Sequence, residues 1–75
     1  MEHIFAIEDV NPNVVIVWQT IGNWKVGFSN GKTYDFTIHW DVDLQMTIYA
    51  LTDENGLGFQ SCDFVDILAF DGDVS

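Results

Sequence analysis

The sequence predicts an all-β domain: a small antiparallel meander or half-barrel of five to six strands, ending in a last strand or one short helical turn. Three observations carry this expectation. From Thr33 to Ala50 every even position (Tyr34, Phe36, Ile38, Trp40, Val42, Leu44, Met46, Ile48, Ala50) is apolar and every odd one polar or amphipathic, the period-two signature of a half-buried strand. Turn signals recur at short intervals: Asn11-Pro12-Asn13, Ile21-Gly22-Asn23, Asn30-Gly31 and Asp53-Glu54-Asn55-Gly56. The segments between them are rich in β-branched and aromatic residues, which suit a pleated surface.

In chain order, His3 to Val10 is apolar with β-branched members and reads as a first strand, stopped at Asn11-Pro12-Asn13. Val14 to Thr20 (VVIVWQT) is a continuous apolar run, expected to form a central strand covered on both faces. After the next turn, Trp24, Val26 and Phe28 alternate with Lys25, Gly27 and Ser29 as a third strand. Asn30-Gly31 then marks a hairpin. A two-residue loop would oppose Phe28 to Thr33 and Val26 to Asp35, mixing apolar and polar side chains on one face. A three-residue loop, Ser29-Asn30-Gly31 with Gly31 left-handed, opposes Val26 to Tyr34 and Trp24 to Phe36. It keeps the apolar face intact, so the type I turn with a glycine bulge is preferred.

The Thr33–Ala50 stretch outruns the usual strand of about 3–10 residues, so a turn or bend belongs inside it. Because the alternation continues, an odd loop is expected: Asp41-Val42-Asp43, opposing Trp40 to Leu44 and Ile38 to Met46. One long bent strand is an alternative, as is a helix from Asp41 with Leu44, Ile48 and Leu51 as its stripe. Thr47-Ile48-Tyr49 favours a strand. Thr52 to Gly56 turns the chain into Leu57-Gly58-Phe59-Gln60. In Ser61 to Phe70, Phe64, Ile67 and Leu68 would line a short helix capped by Ser61, whereas Val65, Ile67 and Ala69 would line a strand. The balance leans to a terminal strand or a single helical turn. The tail DGDVS reads as frayed.

Seventy-five residues make one small domain, 1–75, which buries only about 60–65% of its unfolded surface. At 48% hydrophobic and 15% aromatic it can still build a core, with Trp18, Trp24 and Trp40 as its largest expected pieces. No run reaches the ~20 apolar residues of a membrane helix. The start, MEHIFAIED, lacks the basic region and apolar stretch of a signal peptide. A lone cysteine, Cys62, makes no internal disulfide, which points to a reducing, cytoplasmic setting.

Charge is the outlier. Twelve acidic residues face two lysines, Lys25 and Lys32, for a net charge of −10. Solubility asks for a magnitude of only about 2–8, and the excess destabilises the compact state by self-repulsion. Adaptation to high salt fits poorly with a chain so full of Ile and Phe. Catalytic chemistry finds little support: no glycine elbow accompanies Ser29, Ser61, Ser75 or Cys62, no phosphate-cradling loop is present, and Cys62 is expected to be buried or half-buried and inert beside Asp63. His39, Asp41 and Asp43 lie too far apart along one strand to hold a metal unless a turn gathers them. Asp53-Glu54-Asn55-Gly56 and Asp71-Gly72-Asp73 are better explained as turns than as calcium loops. Neither an enzyme, a cofactor nor a metal is expected. Direct nucleic-acid binding is opposed by the scarcity of cations.

Binding to another protein remains. Carboxylates at alternate strand positions stand about 6–7 Å apart, comparable to successive phosphates of a nucleic-acid strand. Asp41 and Asp43 have this spacing, His39 shares their face, and Asp35 with Asp53 and Glu54 would extend the row across neighbouring strands. The expected partner is a basic nucleic-acid-binding protein, its groove filled by a DNA or RNA mimic. In size, charge and lack of catalytic motifs the chain resembles the small acidic inhibitors that phages direct against host defence or transcription proteins. That is a likeness of composition without a sequence signature, and it implies a host-cytoplasmic setting. The alternative is an accessory or self-associating β-domain, a homodimer included, in which Tyr49, Phe59 or Phe70 is exposed for an interface and the charge serves solubility.

Overall fold

In the computed structural model, which describes residues 6–74, five antiparallel strands form one open sheet in the order β1-β2-β3-β4-β5. They are β1 Val14–Thr20, β2 Asn23–Phe28, β3 Thr33–Asp41, β4 Met46–Thr52 and β5 Gly58–Ser61, flanked by helices α1 Ala6–Val10 and α2 Phe64–Ala69. The expected meander is therefore present, left open at both edges. Ile7 of α1 and Ile67 of α2 join Val14, Val26, Phe28, Tyr34, Phe36, Leu51 and Phe70 in one buried cluster. Phe28, Tyr34 and Phe70 meet edge to face in pairs with centroids 5.4–5.7 Å apart, and Phe59 stacks on Phe70 at 4.8 Å. Both helices thus cover the same face, and the other face carries no helix among the described residues.

The β2–β3 hairpin has the three-residue loop and register expected, with Trp24 opposite Phe36 and Val26 opposite Tyr34. Gly31 N–H donates to Phe28 O at 3.0 Å and Phe28 N–H to Lys32 O at 2.9 Å. Gly31 has φ +87°, a conformation that favours glycine.

The β3–β4 turn corrects the parity argument. Asp41 pairs with Met46 and Ile38 with Tyr49, so the loop is the four residues 42–45. Asp41 Oδ1 accepts from the Asp43 and Leu44 N–H groups, each at 3.0 Å, and Gln45 closes the loop at φ +54°. An even loop flips the faces: Tyr49 and Leu51 now point into the core. Met46, Ile48 and Ala50 share the outer face with Asp41, His39 and Thr37. The flip is tolerated because Tyr49 is apolar along its ring, packing on Phe64 at 5.2 Å, and Leu51 is fully buried.

Four further expectations are corrected. Val14–Thr20 is an edge strand, not a central one: a register irregularity between Val14 and Ile16 lets Val17 face the core while Val15 and Ile16 stand 63% and 48% exposed. Residues 6–10 of the presumed first strand form α1, whose Ile7 is buried while residues 8–10 are exposed. The earlier part of that segment lies outside the described residues. In the last segment the expected helical alternative, with its Phe64, Ile67 and Leu68 stripe, is the one present, and only its cap is corrected. Its N-cap is Asp63, not Ser61, accepting from Val65 N–H at 3.0 Å. The tail is pinned rather than frayed: the Gly72 carbonyl accepts from Tyr34 Oη at 2.6 Å and Asn30 Nδ2 at 2.8 Å.

Asn11 ties these ends together. It is 1% exposed, donates from Nδ2 to Ile67 O at 3.2 Å and Phe70 O at 2.8 Å, and accepts from Asn13 N–H at 3.0 Å. A buried amide with every bond made fixes one arrangement of α1 against α2. The tryptophans differ from expectation. Trp24 packs against the core, Trp18 lies on the outer face, and Trp40, beyond the helices, is 60% exposed. Phe59, Phe70 and Tyr49 are packed, not displayed.

Candidate functional site

The expected acidic row is divided by the fold. β3 sets Asp35 and Asp41 on the same outer face, but six residues of strand put them about 20 Å apart. Asp41 is the last residue of β3, and Asp43 sits in the following loop, so the two do not form a strand row. Asp35, Asp53 and Glu54 gather at one end, lining a groove of about 660 Å³ with Lys25 and Lys32. His39 and Asp41 lie at the other end, around a depression of about 300 Å³ whose floor includes Leu44, Met46 and Ile48.

The two ends differ in charge balance. At the first, Lys25 Nζ holds Asp35 at 2.6 Å and Lys32 Nζ holds Asp73 at 3.1 Å. The hydrogen bond and charge of Asp73 raise the Lys32 pKa above its ordinary value. Burial raises that of Tyr34 beside it. At the second end, Asp41 and Asp43 have neither lysine beside them, whereas Asp63 and Asp66, which the sequence reading missed, follow β5 at the start of α2, on the helix-covered side of the sheet. Ser61, opposite Tyr49 of β4, links them: its Oγ accepts from Asp63 N–H and donates to Asp66. The run Ser61-Cys62-Asp63 ahead of an apolar stripe was the available signal, a helix start. No lysine reaches this end.

Eleven of the twelve acidic residues fall within the described region. Asp35 and Asp73 are the two with a cationic partner, leaving nine without one. Many serve the backbone instead. Asp53 Oδ1 accepts from the Asn55 and Leu57 N–H groups, Asp71 Oδ1 from Asp73 N–H, and a Glu8 oxygen from Val17 N–H at 2.6 Å.

Cys62 is exposed, contrary to expectation, because β5 ends before it and the chain turns outward to start α2. Among the described residues no three of His, Cys, Asp and Glu converge to hold a metal ion, and no helix is long and apolar enough to cross a membrane. Comparison with protein-family models, curated proteins and solved structures gives no match.

Proposed function

We propose that this is a non-enzymatic acidic binding protein that occupies the basic nucleic-acid-binding surface of a partner, inhibiting it as a DNA or RNA mimic. The observation that carries this reading is the lysine-free end of the sheet. Asp41 and Asp43 stand there without a cation, next to His39, while both lysines are engaged at the opposite end. Two surfaces of opposite charge release counterions on association, so binding weakens steeply with salt. A reducing host cytoplasm and a role like that of phage inhibitors belong to the same proposal.

The test uses the immobilised protein and the heparin-retained protein fraction of a cell extract, over a series of NaCl concentrations, with and without duplex DNA. The reading expects capture that DNA competes away and salt abolishes, and that Asp41→Asn with Asp43→Asn weakens. Capture indifferent to both DNA and salt overturns it. That opposite result would support the second reading, an accessory β-domain. One observation favours it: Trp40, Val42 and Leu44 project 58–75% exposed around the β3–β4 turn, an apolar tip suited to an interface.

A further inference from the structure

The two edges of the sheet are unequal. β5 has four residues and is protected by its shortness. β1 has seven, VVIVWQT, with no charge, no proline and a β-branched or aromatic side chain at most positions. Such an edge offers a template for another strand. Its backbone geometry is legible: Val17 N–H points away from β2, since it donates to the Glu8 carboxylate of α1 at 2.6 Å. Residues two apart share an edge, so Gln19 turns its N–H and C=O the same way.

We infer that the open edge of β1 accepts an extended, lysine- or arginine-bearing strand of the basic partner, pairing at Val17 and Gln19. This rests on the basic-partner reading and names the element of that partner that docks. Charge selects the occupant. Glu8 and Asp9 are exposed on α1 beside the edge, and Lys25, the cation nearest it on β2, is engaged by Asp35. A second copy would bring its own Glu8 and Asp9 against these, a like-charge contact that disfavours the pair. A cationic strand instead draws the Glu8 carboxylate away from Val17 N–H and frees that donor for the incoming carbonyl. Alternation completes the match: residues facing α1 meet carboxylates, and those between them meet Ile16 and Trp18 on the outer face.

An eight-residue peptide of alternating valine and lysine, acetylated and amidated, is the probe, followed by amide chemical shifts of the full chain. Two further versions carry N-methyl groups on every lysine amide or on every valine amide, leaving charge and sequence intact. A strand turns one set of amides towards β1, so one methylated version is expected to bind at least tenfold more weakly than the other. Shifts of Val17 and Gln19 should accompany binding of the parent, and Gln19→Pro, which removes an outward N–H, should abolish it. Equal binding of both methylated peptides overturns the inference and leaves the mimic reading to its own salt and DNA test. Absence of binding by the parent overturns it as well, as does a dimer through β1 without peptide.

Discussion

Replacing Asn11 by Asp changes one heavy atom at the most connected polar group of the core. Asn11 Nδ2 donates to the carbonyls of Ile67 and Phe70; in Asn11→Asp the same position carries an acceptor. Each buried carbonyl deprived of its donor costs about 1–3 kcal/mol, so the variant should lose about 2–6 kcal/mol at pH 7. A chain of 75 residues has about 4–11 kcal/mol to lose. The new carboxyl, packed against carbonyl oxygens, is held in its neutral form, its folded-state pKa raised above the unfolded value of about 3.9. A group raised in this way contributes its stability below the unfolded pKa and loses it as pH rises through the folded one. The neutral O–H also restores one of the two donations. The deficit against wild type should therefore shrink by roughly half at about pH 4. Urea unfolding followed by tryptophan fluorescence at both pH values measures it. A variant within about 0.5 kcal/mol of wild type at pH 7, or a deficit that grows on acidification, would refute the assignment of Asn11 as the tie between the two helices.

Gly72→Ala should lower Tm by about 10 °C or more. Gly72 has φ +93° and an added Cβ would lie 2.7 Å from Phe28 Cβ and Cγ, combining left-handed strain with overpacking; a calorimetric scan decides. Stability should fall as pH rises above 10 because burial raises the Tyr34 pKa and the folded state resists its ionisation; Tyr34→Phe should flatten that slope in alkaline urea titrations. Adding NaCl to about 1 M, where the screening length is about 3 Å, should raise Tm by relieving repulsion among the nine carboxylates that lack a cation; a fall would mean that the two ion pairs outweigh it.

Local chemistry was legible where a single residue type decides the geometry. Asn30-Gly31 specified its loop length and register because only a bulge with a left-handed glycine kept the apolar face whole. The β3–β4 loop was not legible, since alternation alone treats Tyr49 as polar and stops at Ala50, one residue short of the buried Leu51. An Asx turn at Asp41 with Gln45 left-handed makes a four-residue loop as good as a three-residue one. VVIVWQT looked central because an apolar run says how much greasy surface a strand has, not whether a neighbour covers it. The placement of the acidic residues was not legible. The residues themselves could be read off the sequence, but their division between two ends follows from strand length and from which carboxylates found a lysine, and both depend on pairings far apart in sequence.

Turn chemistry and charge make separable demands on the acidic residues. Asp41, Asp53, Asp63 and Asp71 each accept backbone N–H bonds through a side-chain oxygen. Asn11 and Asn30 make the same kind of bond with a neutral amide, to Asn13 and Lys32 N–H. The fold therefore accepts either residue at such turns, and asparagine favours them as strongly as aspartate does. Four aspartates where asparagine would serve mean that the turns alone do not account for a net charge of −10. A variant with Asp41, Asp53, Asp63 and Asp71 all changed to Asn keeps an acceptor at each turn and removes four charges. Its urea midpoint should equal or exceed that of wild type, since repulsion falls while each acceptor stays, apart from a few tenths of a kcal/mol at the Asp63 helix start. Its capture of basic proteins should collapse. A variant that is stable and still captures them in a DNA-competed, salt-sensitive manner would sever the acidity from the binding, and with it the mimic.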